Sequence, residues 1–231
     1  MSIRLDSWPF LVSFTLGSPE DIPMLPLDAQ QSQSQTPLEK LETLTLEGPK
    51  SLLRSSGLSS SQLMVWKCFR FLRHLTISRC SDLVRWPTEE LRCLDRLRSL
   101  CIVDCENLEG GTSSSEEETL PLSLEKLTIS GCCSVVALPW NLRNLAKLSD
   151  LWVKNCDGLE VLPDGMCGLT SLRKLNIWYC PELEEFPHGL LERLPALEEF
   201  VILGCAGLQT RCREGGEYFH LLSSVPRKWF G

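Results

Sequence analysis

The sequence predicts an α/β solenoid, in which short parallel strands form one concave sheet and short helical, 3-10 or irregular segments return on the convex side. The first observation is an apolar pattern, L-x-x-L-x-I-x-x-C-x-x-L, which is clearest over residues 172–183. The second is that this pattern occurs six times in one frame. Its cysteines lie 24 to 27 residues apart, at Cys80, Cys105, Cys132, Cys156, Cys180 and Cys205. A period of about 20–29 residues indicates one strand and one return segment for each turn.

The pattern and its period are those of a leucine-rich repeat, so the predicted fold is a leucine-rich-repeat arc. Each strand is expected at the x-x-L-x-I-x-x part, where side chains alternate between the two faces. The leucine and isoleucine face inward, and each fully buried side chain contributes roughly 1.5–3 kcal/mol to stability. An apolar residue before a proline then turns the chain outward. Four turns have this pair, at Trp86-Pro87, Leu138-Pro139, Leu162-Pro163 and Phe186-Pro187.

Three parts are predicted along the chain. Residues 1–37 hold a partial repeat and a polar loop, with the repeat formed by Ile3, Leu5, Trp8 and Leu11 and with Trp8 at the cysteine position. Because its first leucines are missing, we expect the C-terminal piece of a longer protein; the alternative is an irregular first turn that matches by accident. Residues 38–210 hold about seven repeats. Residues 211–231 should cap the last turn with Tyr218, Phe219, Leu221, Leu222, Val225 and Trp229.

Charge and hydropathy exclude several classes of partner. The formal net charge is −7, whereas nucleic acids and anionic membranes attract basic surfaces. No uninterrupted apolar run reaches the roughly 20 residues of a membrane span. Residues 1–17 do not read as a signal peptide, because Asp6 and Pro9 interrupt the apolar stretch. We therefore expect a protein partner, with no nucleic acid and no membrane.

Two segments carry a family resemblance: LPWNLRNLAKLSDLWVKNC at residues 138–156 and LPDGMCGLTSLRKLNIWYCPELEEFP at residues 162–187. Their frame resembles the repeats of plant intracellular nucleotide-binding leucine-rich-repeat (NB-LRR) disease-resistance proteins of the coiled-coil (CC) type, and the resemblance runs from Leu38 onward. Extracellular plant repeats have asparagine at the turn and a G-x-I-P signature, whereas this chain has cysteine and a plain x-P.

The resemblance implies a cytoplasmic recognition region of a plant immune receptor. Its partner would be a pathogen effector, a host protein or the receptor's own nucleotide-binding module. No G-x-x-x-x-G-K-[ST] motif occurs in the chain, so that module is missing and no cofactor is expected. Two alternatives remain: a substrate-adaptor scaffold of a ubiquitin ligase, and a truncated receptor remnant without activity.

The cysteines do not predict a catalytic or metal site. The six that share one repeat position are expected to be reduced, buried thiols whose Cβ vectors run parallel, which disfavours disulfides. Cys101, Cys105, Cys132 and Cys133 lack the usual C-x₂-C spacing of zinc ligands. His74 and Cys101 could lie diagonally on neighbouring strands, but no orienting acid accompanies them. We therefore expect no metal and no enzyme activity.

The candidate site lies where strand residues face outward on the concave sheet. The earlier turns place mainly threonine, serine and single charged residues there, with Cys101 and Val103 as exceptions. The last three turns place Trp152, Asn176 and Val201 in one column and Trp178 and Leu203 in another. We predict a protein-binding surface formed by Trp152, Lys154, Lys174, Trp178, Tyr179, Val201 and Leu203. The alternatives are that the tail folds over this patch, or that aromatic stacking merely stabilises the sheet.

Overall fold

A computed structural model describes residues 12–16, 40–48, 66, 69–110 and 120–231. In these residues, nine strands form one sheet whose order follows the chain, and every neighbouring pair is parallel. The strands are β1 Ser13–Leu16, β2 Thr43–Glu47, β3 His74–Ser78, β4 Ser99–Val103, β5 Lys126–Ser130, β6 Asp150–Lys154, β7 Lys174–Trp178, β8 Glu199–Leu203 and β9 Arg227–Phe230. The predicted α/β solenoid with a parallel sheet is confirmed.

The sheet register follows the repeat pattern residue by residue. Leu127 of β5 pairs with Leu151 of β6, which pairs with Leu175 of β7. The second and fourth residues of β2 to β8 are buried, so the leucines and isoleucines of successive turns stack into continuous inner layers. Each turn therefore buries its apolar residues against its neighbours, which is how a solenoid is stabilised.

The described return segments contain six short helices, three of which begin directly after a proline. They are α-helices Thr88–Leu91 and Ala206–Cys212 and 3-10 helices Trp140–Asn144, Asp164–Gly168, Leu191–Arg193 and Leu221–Ser224. Proline fixes φ near the helical value and lacks the N–H that a first turn leaves unpaired, so it suits this position. The apolar residues before the four prolines are buried as predicted. In the described part of the chain, no helix is long and apolar enough to cross a membrane.

The six cysteines of the repeat column are buried and unbridged. Each thiol donates to the backbone carbonyl two residues earlier, for example Cys80 to Ser78 at 3.2 Å and Cys156 to Lys154 at 3.3 Å. Cys180 also donates its backbone N–H to the sulfur of Cys205 at 3.4 Å. The expectation of reduced, buried thiols is confirmed, and their role is to close the turn after each strand.

The first strand of the described residues, β1, is one that the sequence did not predict. Phe14 and Leu16 of β1 pair with Leu44 and Leu46, so they hold the strand register that was expected of Ile3 and Leu5. The predicted residues Ile3, Leu5, Trp8 and Leu11 lie outside the described part of the chain. The position of the first strand is ambiguous in sequence. Residues 3–5 and residues 13–16 both alternate apolar and polar residues, and neither stretch is followed by the cysteine that fixes the repeat frame.

The tail forms both a plug and a strand. Tyr218, Leu222 and Val225 are buried at the end of the last turn, whereas the predicted Phe219, Leu221 and Trp229 are exposed. The Tyr218 hydroxyl accepts from the backbone N–H of Phe186 at 3.2 Å. Beyond the plug, β9 pairs with β8 and extends the sheet by one strand.

Candidate protein-binding surface

The first, third and fifth residues of each strand lie on the face opposite the leucine layers, which we call the outward face. The register groups them into three rows across the sheet. From β5 to β9 the first row is Lys126, Asp150, Lys174, Glu199 and Arg227, and the middle row is Thr128, Trp152, Asn176, Val201 and Trp229. The third row is Ser130, Lys154, Trp178 and Leu203. The predicted alignment of Trp152 with Val201, and of Trp178 with Leu203, across neighbouring strands is confirmed.

The outward face changes in character at β6. On β2, β3 and β5 its middle row carries Thr45, Thr76 and Thr128, with Cys101 between them on β4. From β6 onward, five of the seven residues in the middle and third rows are tryptophan, valine or leucine, and the other two are Asn176 and Lys154. On β2 to β5, Val103 is the one aliphatic residue in these two rows.

Trp152, Lys154 and Trp178 form one compact group, which we call the Trp–Lys–Trp cluster. The two indole rings meet edge to face, with centroids 5.7 Å apart and planes at 68°. The Lys154 ammonium lies 4.3 Å from the Trp152 ring centroid and 4.4 Å from that of Trp178. Both distances are typical of cation–π attraction, which is stronger where the cation is partly desolvated. The cluster therefore does stabilise neighbouring strands, while all three side chains stay half-exposed.

The first row is a ladder of alternating charge. Lys174 pairs with Asp150 at 3.4 Å, and Arg227 pairs with Glu199 at 3.6 Å. Asp150 is nearly buried and also accepts from the Ser149 hydroxyl at 2.6 Å. The charge of Lys174 is thus already neutralised by Asp150, and the sequence alone did not predict this pair.

Asn176 is completely buried although it belongs to an outward row. Its side-chain nitrogen donates to Glu199 Oε1 at 3.3 Å, while its Oδ1 has no partner. The buried Nε1 of Trp178, two residues further along the same strand, is likewise unpartnered. Buried polar atoms of this kind are costly, at about 1–3 kcal/mol each. The sheet beneath the surface is therefore less stable than it would be if both atoms were hydrogen-bonded.

Tyr179 and Trp229 are the most exposed aromatic residues of the surface, at 52% and 64%. Tyr179 follows β7 in a left-handed conformation with φ of 53°, and its ring lies directly against Gly204 of the next turn. Trp229 was expected to help close the last turn. The structure instead places it beside Val201, so it extends the middle row. Trp229 stands two residues after Arg227, as outward residues of one strand do, and this spacing could have predicted that both share a face. The strand was missed because it lacks the leucine pattern of the repeats.

The tail extends the sheet at its edge. Residues 227–230 pair with β8, and Gly231 lies against Leu203 and Trp229. The tail therefore reaches the predicted patch at Leu203. With Trp229 included, the surface consists of the Trp–Lys–Trp cluster, Tyr179, Val201, Leu203 and Trp229, bordered by the charged first row.

The cysteines considered as ligands or nucleophile lie in different parts of the repeat. Cys101 lies on the outward face, Cys105 and Cys132 lie in the buried column, and Cys133 is exposed in the following turn. Burial raises the pKa of Cys101, which lowers the thiolate fraction that a nucleophile needs. In the described residues, no three histidine, cysteine or acidic side chains are placed to hold a metal ion.

Comparison with known proteins shows the fold. No protein-family model matches the chain, and no curated protein matches it. The leucine-rich-repeat domain of the type III effector XopL is similar, with a TM-score of 0.57 and 22% identity over 94% of this chain and 75% of that domain. Toll, from the Drosophila Toll–Spätzle complex, gives a TM-score of 0.56 and 16% identity over 84% of this chain. TLR13 in complex with ssRNA13 gives 0.50 and 18% over 90% of this chain.

The chain spans 23% of the Toll chain and 36% of the TLR13 chain. The likenesses and the stacked parallel strands together establish a leucine-rich-repeat solenoid.

Proposed function

We propose that this chain is a protein-recognition module, which acts by binding and not by catalysis, and that its partner contacts the outward face of β6 to β9. The observation that carries the proposal is the change from threonine and serine on the early strands to tryptophan and aliphatic residues on the later ones. Exposed apolar patches rimmed by charge mark interaction sites, and tryptophan and tyrosine are enriched among their energetic centres.

The geometry supports a preformed surface. The Trp–Lys–Trp cluster fixes two indole rings on neighbouring strands, so little side-chain entropy is lost when a partner packs on them. The paired charges of the first row border the patch on one side, and Tyr179 borders it on the other. A rigid apolar centre with a polar rim is the usual anatomy of a protein–protein interface.

We further propose that the module belongs to a plant immune receptor of the NB-LRR type and works in the cytoplasm. Support comes from residues 138–156 and 162–187, whose cysteine-and-proline frame resembles that family. The names of two structural neighbours are related to this proposal. The Toll–Spätzle complex is called a hub in development and innate immunity, and XopL is a type III effector. The partner would then be a pathogen effector, a host protein or the receptor's nucleotide-binding module.

The experiment is affinity capture from extracts of healthy and infected plant tissue, with bound proteins identified by mass spectrometry and retested as purified proteins. The variant Tyr179→Ala/Trp229→Ala removes the two most exposed aromatic side chains. The matched control is Val136→Ala/Val161→Ala, because these valines are 44% and 51% exposed in the return segments that follow β5 and β6.

We expect the partner to bind the unaltered chain and the control but to be lost from the aromatic variant. If all three chains capture the same purified partner equally, the outward face is not the binding surface. Capture of ubiquitin-ligase subunits through this face would favour the adaptor function over the receptor function.

A further inference from the structure

The outward face of β5 to β9 is positively charged although the whole chain is acidic. Its rows contain four cations, Lys126, Lys154, Lys174 and Arg227, and two carboxylates, Asp150 and Glu199. Four positive and two negative charges leave +2 on this face, against −7 for the chain. The strand residues of this face thus carry more cations than carboxylates, which favours an acidic contact segment.

Lys154 is the cation best placed to meet such a segment. Both carboxylates of the face are already engaged, Asp150 by Lys174 and Glu199 by Arg227. The neighbours of Lys154 in its row are Ser130 and Trp178, neither of which is an acid. In the described part of the chain, no carboxylate lies within ion-pair distance of it. Its charge is attracted by two indole faces but is not neutralised.

The Trp–Lys–Trp cluster also holds that ammonium in one place. Contact with two rings, at 4.3 and 4.4 Å, restricts a side chain that would otherwise sample many rotamers. Half-burial among indoles lowers the local dielectric, which strengthens a charge-assisted hydrogen bond to an incoming carboxylate. The lysine is therefore preorganised as a donor and is not an ordinary solvated surface charge.

Two buried polar atoms beside the cluster lack partners in the free chain. They are Asn176 Oδ1, an acceptor on a completely buried side chain, and Trp178 Nε1, a donor. The site thus has unused donor and acceptor capacity next to an unneutralised cation.

We propose that the partner presents an acidic residue next to an aromatic or aliphatic one, with its carboxylate on Lys154 Nζ and its apolar side chain on Val201, Leu203 and Trp229. This inference rests on the proposed function and adds the chemistry of the partner. A single-stranded nucleic acid fits less well, because such ligands need several free cations and open aromatic faces. Here Lys174 and Arg227 are paired with carboxylates, and the Lys154 ammonium lies over each of the two indole rings of the cluster.

The test uses a library of random peptides displayed on phage and selected on the immobilised chain. Dissociation constants of selected synthetic peptides are then measured for the unaltered chain, for Lys154→Met and for Lys154→Arg. Methionine keeps much of the apolar stem without the charge, and arginine keeps the charge and the stacking. Lys147→Met is the matched control, because Lys147 is exposed in the return segment before β6. A labelled oligouridylate probe is measured in parallel.

We expect the selected peptides to be enriched in Asp or Glu next to Trp, Phe or Leu. Lys154→Met should weaken their binding about tenfold or more, while Lys154→Arg and Lys147→Met change it less than about threefold. Added salt should weaken binding to the unaltered chain and have little effect on Lys154→Met.

The other outcomes overturn the inference in distinguishable ways. Neutral or basic peptides whose binding is lost in Tyr179→Ala/Trp229→Ala contradict the acidic partner but leave the proposed binding surface intact. Peptides unaffected by every variant of this face, or no enriched peptide at all, contradict both proposals. Oligouridylate binding, or self-association seen by light scattering, that Lys154→Met abolishes would assign the face to RNA or to a second copy of the chain.

Discussion

At the scale of single residues, the turn after each strand from β2 to β8 has a left-handed backbone. The position has φ between 50° and 67° in Gly48, Arg79, Asp104, Gly131, Asn155, Tyr179 and Gly204. In the first six of these residues, the backbone N–H donates to the carbonyl of the last residue of the next strand, as Asn155 does to Trp178 at 2.9 Å. Glycine adopts this conformation freely, whereas a tyrosine pays about 1–2 kcal/mol. Arg79, Asp104 and Asn155 have the same conformation, so the strain is common to these turns, and what distinguishes Tyr179 is its exposed aromatic ring.

The contact between Tyr179 and Gly204 gives the first prediction. A Cβ on Gly204 would lie 2.4 Å from Tyr179 Cδ1, whereas a Cβ on Gly48, with nearly the same φ, would have the Arg79 carbonyl oxygen at 3.7 Å as its nearest neighbour among the described residues. Gly48→Ala should therefore cost only the backbone strain, about 1 kcal/mol in free energy of unfolding. Gly204→Ala should cost about 1 kcal/mol more, because the ring must move. Chemical denaturation measures both.

A double mutant separates strain from collision. In a Tyr179→Gly background, Gly204→Ala should cost no more than Gly48→Ala, since the colliding ring is gone. If Gly204→Ala costs the same with and without the Tyr179 ring, the ring does not rest on Gly204. In that case Tyr179 would not be held at the border of the surface by the next turn.

At the scale of elements, the sequence pattern locates the strands wherever the leucine and cysteine columns are complete. The strands from β3 to β8 have both columns, so strand parity alone assigns their outward residues. β9 lacks them, because its inward residues are Lys228 and Phe230. The Lys228 ammonium donates to the carbonyls of Leu222, Val225 and Ser223 at 3.1, 3.3 and 3.5 Å. Leu222 and Ser223 belong to the 3-10 helix before β9, and Val225 is the residue after that helix. No repeat pattern could predict these partners.

The second prediction concerns the turns that the cysteine column closes. In the native protein, iodoacetamide should modify exposed Cys133 first and the half-buried Cys93, Cys101 and Cys167 more slowly. The six column thiols and Cys212 should react only after unfolding, because they are buried. Burial raises the pKa of Cys212 to about 12, which suppresses its thiolate further. Partial desolvation and the charge of Asp157 raise the pKa of Cys133, so its rate should climb with alkaline pH.

Mass spectrometry of peptides from a time course resolves each cysteine separately. A column cysteine labelled as fast as Cys133 would mean that the turns open readily and that the thiols are not part of a packed layer. Fastest labelling at Cys101 near neutral pH would instead point to an activated thiol and would reopen the His74–Cys101 pair as a catalytic site.

At the scale of the whole molecule, the site exists only because successive turns are in register. Sequence predicted which residues share the outward face, because strand parity and repeat period fix the rows. It could not predict that Lys174 is paired with Asp150, that Asn176 is buried or that Lys154 lies between two rings. Those features depend on side-chain rotamers and on contacts across two or three turns, for which the repeat pattern carries no information.

The last prediction follows from this one-dimensional construction. Leu151 is fully buried in β6, near the middle of the stack, and Leu44 is fully buried in β2. Replacing either with alanine should cost about 2–5 kcal/mol locally. Because each turn contacts mainly its neighbours, Leu151→Ala should lower amide protection most in β5, β6 and β7, and Leu44→Ala most in β2 and β3.

Hydrogen exchange read by mass spectrometry distinguishes this pattern from a single cooperative core. Since β6 and β7 carry the Trp–Lys–Trp cluster, Leu151→Ala should also weaken binding at the outward face, whereas Leu44→Ala should leave it nearly unchanged at a temperature where both variants are folded. Equal loss of protection in every strand for both variants would show that the stack unfolds as one unit. The surface would then depend on the stability of the whole chain and not on the turns that carry it.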